Sequence, residues 1–267
     1  MAEYGLPALF TLLIWWFSTG LIIYLDGLRR ETFRWTMLGA TTLLLAGLFG
    51  LHALAWDVSP SGAWLGFVCG LLCWAWIEIA FLTGLVTGPR RTAIPPGLQG
   101  WARLRGALAA ILWHELAIIA LAAALVALTW GAPNQIGTWT FLAFWAMRQS
   151  AKLNLYLGVR NLSENFLPDH LRYLESFFSR RPMNWLFPFS IVTGVLACVL
   201  LALAAFSPDA TRHEAVGFTL LATLVALGLL EHIFMVLPVS ADLLWRWGLA
   251  SRPAAKQEGR PEPSTIA

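Results

Sequence analysis

Charge is scarce in this chain: Asp, Glu, Lys and Arg make up 12% of its 267 residues, against 58% hydrophobic residues, and the mean hydropathy is +0.66. That balance excludes an ordinary soluble domain. The net charge is only +3, which excludes the basic face that nucleic-acid binding needs. Cysteine is almost lacking. Cys69, Cys73 and Cys198 all lie in apolar runs, so they are expected to pack, not to form a disulfide framework or a Cys-rich metal site. Proline is missing from the middle of every long apolar run, since Pro7, Pro188 and Pro238 sit near ends, and neither half of the chain repeats the other. The broken helices and paired repeats common in transporters are therefore not in view. The apolar runs do not alternate in polarity as β-barrel strands would. No basic segment precedes the first run, and Arg29, Arg30 and Arg34 follow it, the reverse of a cleavable signal; that run is expected to stay in the mature protein.

What is present is a series of apolar windows, each long enough to cross a bilayer as a helix at roughly 20 residues. They fall at 5–25, 35–55, 62–86, 106–130, 137–158, 186–206 and 214–237. The expected fold is all-α: a polytopic membrane helix bundle of about seven transmembrane helices over residues 1–250. Lys and Arg set the orientation, because they accumulate in cytoplasmic loops. Arg29, Arg30 and Arg34 follow window one, and Arg90, Arg91, Arg103 and Arg105 follow window three. Arg160, Arg172, Arg180 and Arg181 follow window five, and Arg246, Arg252, Lys256 and Arg260 follow window seven. The other side carries only Arg212. The amino terminus is expected outside and the carboxyl terminus in the cytoplasm.

The outer connections, WDVSPSG, GAPNQIG and SPDATRH, are short and rich in turn formers. The long inner connection at 159–185 holds a helix start at Asp169, then Leu171, Leu174, Phe177 and Phe178 at helical spacing. An interfacial helix within 168–180 is expected on the cytoplasmic membrane surface, with Arg180 and Arg181 facing lipid phosphates or an acidic partner. Residues 251–267, SRPAAKQEGRPEPSTIA, read as a disordered cytoplasmic tail.

Ionisable residues inside a bilayer are costly and usually face a protein interior. Counted at about 1.5 Å per helical residue, several fall at one depth in the cytoplasmic half. Glu78 lies in the third window, His114 and Glu115 in the fourth, Arg148 and Lys152 in the fifth, and Glu231 and His232 in the seventh. Arg148 and Lys152 are four apart and share a helix face. The partners of Glu231 and His232 are expected to be Arg148, Lys152, Glu78 and the His114 and Glu115 pair. Three carboxylates against two permanent cations leave one negative charge for a protonated histidine, a metal or a ligand to balance. Neighbours on a helix diverge by about 100°, so adjacent His and Glu cannot easily ligate one ion, although a mononuclear metal using one of each pair stays open. The Glu-x-x-His spacing of di-metal bundles is absent.

Three readings of the layer stand side by side: a charge-paired network fixing helix packing, a ligand or pigment site, and a catalytic metal or proton site. Of fifteen tryptophans, nine lie near window boundaries as an aromatic belt would. Trp15, Trp16, Trp74, Trp76, Trp113 and Trp145 fall within windows, either as core or lipid-facing packing or as flat walls for a tetrapyrrole, carotenoid or quinone, with His114 or His232 as axial ligand or hydrogen-bond donor. His52 reads as a capping or packing residue.

Several stretches carry a resemblance: WWFSTG at 15–20, WIEIAFLTGLVTGP at 76–89, WHE at 113–115, SAKLNLYLGVRNL at 150–162, ENFLPDHLRYL at 164–174, RPMNWLFPFS at 181–190, LLEHIFMVLP at 229–238 and LWRW at 244–247. Together, over nearly the whole chain, they resemble the photosynthetic complex assembly proteins called PuhE, encoded near the reaction-centre H subunit in phototrophic bacteria. The resemblance implies a protein of the bacterial cytoplasmic membrane that supports reaction-centre and light-harvesting assembly, through bacteriochlorophyll supply or pigment handling. It implies membrane lipid, reaction-centre and light-harvesting subunits and a pigment as partners, and it supplies no catalytic residues. The alternative is a membrane-embedded, metal-dependent enzyme acting on a pigment or isoprenoid precursor; a proton or ion pathway is a third reading.

Overall fold

A computed structural model describes residues 3–162, 164–238 and 241–252. The expected tail lies outside these residues from position 253 onward. Seven long helices follow in order among the described residues: α1 Gly5–Asp26, α2 Phe33–Ala53, α3 Pro60–Leu82, α4 Gly100–Leu128, α5 Ile136–Leu157, α6 Leu186–Ala205 and α7 Arg212–Phe234. No strand occurs among them beyond one isolated bridge between Val159 and Arg180.

Helix starts follow local chemistry. The Ser59 hydroxyl accepts from the Gly62 amide ahead of Pro60, which needs no donor partner at the first helical position. Thr211 and Glu214 form a reciprocal capping box at the start of α7.

Six of the helices are long and apolar enough to cross a membrane: α1, α2 with the short turn before it, α3, α4, α6 and α7. This is the make-up of a multi-pass membrane protein. The seventh window differs from expectation. Helix α5 has the length, 22 residues, but Arg148, Gln149, Lys152 and Asn154 take it below the apolarity of the other six.

Helices α3 and α7 form the buried centre, while α1, α2, α4 and α6 turn most of their leucines outward. Helix α5 packs against α3, α4, α6 and α7. It approaches α3 through glycine: a Cβ at Gly70 would lie 2.3 Å from the Gly137 carbonyl, and one at Gly137 would lie 2.5 Å from that of Gly66. Small residues allow this backbone contact, which van der Waals attraction then stabilises. The three cysteines are free.

The long connection between α5 and α6, expected on the inner side, holds a 3-10 helix at Asp169–Phe177. Its Leu171, Leu174 and Phe177 are buried against Phe81 of α3 and Ala110 of α4, so its apolar side faces protein. Arg103 ties this connection to α5, donating to the carbonyls of Tyr156 and Phe177 and to the Ser179 hydroxyl at 3.1, 2.7 and 2.7 Å. Its guanidinium also lies 4.1 Å from the centre of the Tyr156 ring. Arg180 pairs with Glu164 at 3.0 Å. His170 meets the Leu82 carbonyl at 2.8 Å. Burial, the larger influence, holds that imidazole below its ordinary pKa, and the Leu82 contact acts against it.

The stretch 241–252 runs back along α1. Trp245 donates to the Trp16 carbonyl at 3.0 Å, and Trp16 donates to that of Leu244 at 2.9 Å. Arg252 pairs with the buried Asp26 at 2.9 Å and donates to the Phe166 carbonyl at 2.8 Å. Gly20 makes room for this strap, since a Cβ there would sit 2.1 Å from the Trp247 ring. Ser251 and Arg252, which the sequence assigns to the tail, thus belong to the packed structure.

Candidate functional site

The ionisable layer condenses on α5. Arg148 pairs with Glu78 of α3 at 3.0 Å, and Lys152 pairs with Glu115 of α4 at 2.6 Å. Gln149 adds a second donor to Glu115 at 2.5 Å. Positions 148, 149 and 152 lie on adjacent strips of one helix, so a single face of α5 serves two neighbouring helices. The second pair is the more withdrawn from its surroundings: the Lys152 and Glu115 side chains are 19% and 16% exposed, against 38% and 11% for Arg148 and Glu78. In that setting a lone charge would be strongly unfavourable, and each pair offsets the cost of the other's burial.

Glu231 of α7 is built differently. Its Oε1 accepts from the indole Nε1 of Trp15 in α1 at 2.8 Å. It makes no ion pair among the described residues, and its Oε2 accepts from no donor among them. Glu231 lies in the last turn of α7 and keeps an exposed surface, which lines a cavity.

That cavity measures about 480 Å³ and lies among α1, α3, α4, α5, α7, the inner connection and the strap. Glu115, Arg148, Gln149, Lys152 and Glu231 line its polar part, and Phe81, Tyr156, Phe177, Phe178 and Trp245 belong to its aromatic walls. A smaller space of about 180 Å³ adjoins it and is lined by Trp15, Glu78, Arg148 and Glu231. Glu231 and Arg148 therefore border both. A mostly apolar cavity with a few convergent polar groups is the usual form of a small-molecule site.

The two histidines stand apart from this space. His232 engages both ring nitrogens, Nδ1 with the Gly228 carbonyl at 2.8 Å and Nε2 with the Ser150 hydroxyl at 2.9 Å. His114 is completely buried, lies tilted against the Phe81 ring with centres 4.4 Å apart, and has neither nitrogen hydrogen-bonded among the described residues. Neither lines either cavity. Axial ligation of a tetrapyrrole metal needs an imidazole lone pair turned toward the ligand, and these histidines do not fit that role. No set of three His, Cys, Asp or Glu side chains among the described residues is arranged to hold a metal ion either.

The structure thus brings Glu115, Arg148, Lys152 and Glu231 to the larger cavity and Glu78 to the smaller, and leaves His114 and His232 in packing. The hydrogen bond to Glu231 comes from Trp15, not from the α5 cations or the His114 and Glu115 pair. Trp15 was visible in sequence as a tryptophan inside an apolar window, but nothing in its spacing linked it to α7. Trp113 is 49% exposed on the outside of α4 and forms no wall of the site. Trp74 stacks on Phe144 in the core, and Trp76 donates to Thr41 at 3.1 Å.

A profile of the family described as "Protein of unknown function (DUF3623)" matches residues 1–256. The chain belongs to the DUF3623 family. It is 38% identical over 268 residues to a Rhodobacter capsulatus protein described as "Uncharacterized 30.4 kDa protein in puhA 5'region", covering 98% of this chain and 97% of the relative. No solved structure matches the chain. All the residues that line the two cavities lie within the family match.

Proposed function

We propose that this DUF3623 member is a multi-pass membrane factor that supports assembly of photosynthetic reaction-centre and light-harvesting complexes, and that it does so by holding a pigment or pigment precursor as cargo. The resemblance to the PuhE assembly proteins supports the process, and so does the relative encoded beside puhA. The observation that carries the holding role is the cavity at the ionisable layer, with aromatic walls and a fixed arrangement of charged groups. Two of the three carboxylates that border the two adjoining cavities are paired within the protein, which suits binding better than turnover. Apolar and stacking contacts, not a histidine ligand, would hold the cargo's body.

The same proposal takes α5 as a seventh span, its cations neutralised by Glu78 and Glu115, with the amino terminus outside as the Lys and Arg distribution predicts. The direct partners are membrane lipid and the reaction-centre and light-harvesting subunits of the bacterial cytoplasmic membrane.

The test uses Rhodobacter capsulatus lacking the 30.4 kDa relative and complemented with this chain. The deletion is expected to lower the near-infrared absorbance of assembled complexes while respiratory membrane proteins stay constant, and the chain is expected to restore it. Purified in mild detergent from phototrophic cells, the chain should carry pigment absorbance or complex subunits. Unchanged absorbance in the deletion strain, with a colourless, solitary protein, overturns the reading.

A further inference from the structure

One side of the cavity is bordered by exposed apolar side chains. On α4, Leu104, Ala107, Ile111 and Glu115 line the cavity, while Trp101, Leu112, Leu116 and Ile119 form the exposed outer face. Leu108 belongs to both sets: it lines the cavity and is 50% exposed. On α5, Trp139, Ala146 and Leu153 recur every seven residues as the exposed stripe. Leu153 also lines the cavity and is 50% exposed. The two leucines mark a rim between α4 and α5, on surface whose apolar side chains suit lipid and not water.

Inside this rim the polar groups are not equivalent. Glu115 is occupied by Lys152 and Gln149, and Glu78 by Arg148. Among the described residues Glu231 has a donor on Oε1 alone, and it borders both cavities. Beside it, the Glu78 Oε1 is buried without a hydrogen-bond partner, as is the Nε of Arg148. The site therefore has unused acceptor capacity on two carboxylates, walled by apolar and aromatic side chains. Burying an acceptor without a donor is costly, and a ligand that donates there is favoured over one that does not.

We infer that the cavity admits from the lipid phase, between α4 and α5, an amphiphile whose head is a cation or hydrogen-bond donor and whose acceptor on the protein is Glu231. The inference deepens the proposed holding role by naming the class of cargo and its route. An apolar chain or ring system occupies the aromatic part, and the head lies against Glu231 beside the Glu78 and Arg148 pair. Amphiphiles with anionic heads meet repulsion from the same carboxylate and are expected to bind less well, since Arg148 and Lys152 are already paired with Glu78 and Glu115.

The full chain in nanodiscs is exposed to a diazirine-bearing long-chain amine or to the matching carboxylic acid, irradiated, and mapped by mass spectrometry. The amine is expected to label cavity residues such as Ile111, Tyr156 and Phe178, with competition by unlabelled amine, and the acid to label them at least tenfold less. Glu231→Gln keeps the side chain's shape and should reduce amine labelling of the cavity about tenfold. Leu108→Trp leaves Glu231 intact and should slow labelling by narrowing the rim. Equal cavity labelling by acid and amine, labelling by amine unchanged in Glu231→Gln, or labelling confined to outer residues of α4 and α6 each overturns the inference. The assay contains no photosynthetic complexes, so its failure leaves the assembly role standing, and failure of the deletion test leaves the labelling result standing.

Discussion

The indole Nε1 of Trp15 and the Oε1 of Glu231, 216 residues apart in sequence, meet at 2.8 Å. The bond joins the first long helix to the last and fixes the one cavity-lining carboxylate that makes no ion pair among the described residues. Trp15 is itself held by an edge-on contact with Trp245 of the strap, ring centres 5.2 Å apart.

Replacing Trp15 by Phe removes the donor and keeps most of the ring. The expected loss of stability is about 1.5 to 3 kcal/mol, the range for a hydrogen bond to a charged group. Denaturation in mixed micelles reads it. In Glu231→Gln the same substitution should cost less, so a double-mutant cycle isolates the bond; equal losses in both backgrounds would show that the ring's packing, and not the bond, supplies the effect.

Lys152→Met leaves the Glu115 carboxylate with Gln149 alone. Breaking one side of a buried pair is expected to destabilise by about 3 to 5 kcal/mol, and adding Glu115→Gln should recover most of it. Folded yield in detergent and thermal midpoint are the measurements. No recovery in the double variant would count against the pair as the cause.

Arg252→Ala removes the partner of buried Asp26 and three carbonyl contacts with residues 165–167. The strap should become accessible to trypsin at Arg246 while the bundle stays intact. Gly20→Ala should do the same by a different route, since the new methyl collides with the Trp247 ring, although alanine favours the α1 helix by about 1 kcal/mol. A strap equally resistant in both variants would contradict the packing described.

His170 resists protonation because it is partly buried, near Arg30 and Arg252, with Asp169 acting in the opposite sense. Its folded pKa is lowered, so its contribution is present above the ordinary histidine range and declines as pH falls through the unfolded value toward the folded one. Limited proteolysis of the 164–178 connection should therefore accelerate between about pH 7 and pH 5, and His170→Gln should remove that pH dependence. An unchanged profile in the variant would assign it to other groups.

The bundle was legible because apolar windows long enough to span a bilayer follow a simple physical rule, and the layer was legible because ionisable side chains can be counted by depth. Glu115 with Lys152 and Glu78 with Arg148 are pairs that depth and sign alone bring together. Trp15 was not legible as a partner, since a neutral donor leaves no mark in a count of charges. The surroundings of the histidines were not legible for a related reason: His232 meets Gly228 of its own helix and Ser150, contacts that depend on helix rotation and not on depth. The strap was not legible because residues 241–250 fall in the bundle region with no sign of where they pack, while Ser251 and Arg252 read as the start of the polar, proline-rich tail. Arg103 counted as a topology signal, yet its guanidinium also fastens the inner connection to α5.

With α5 as a span, the order of synthesis acquires a meaning. The carboxylates of α3 and α4 leave the ribosome before the cations that neutralise them, and α5 is the least able of the seven to enter lipid alone. Its membrane entry must wait on two neighbours already in place, so the bundle is completed in an enforced sequence, and any block in that sequence strands an acid in the bilayer.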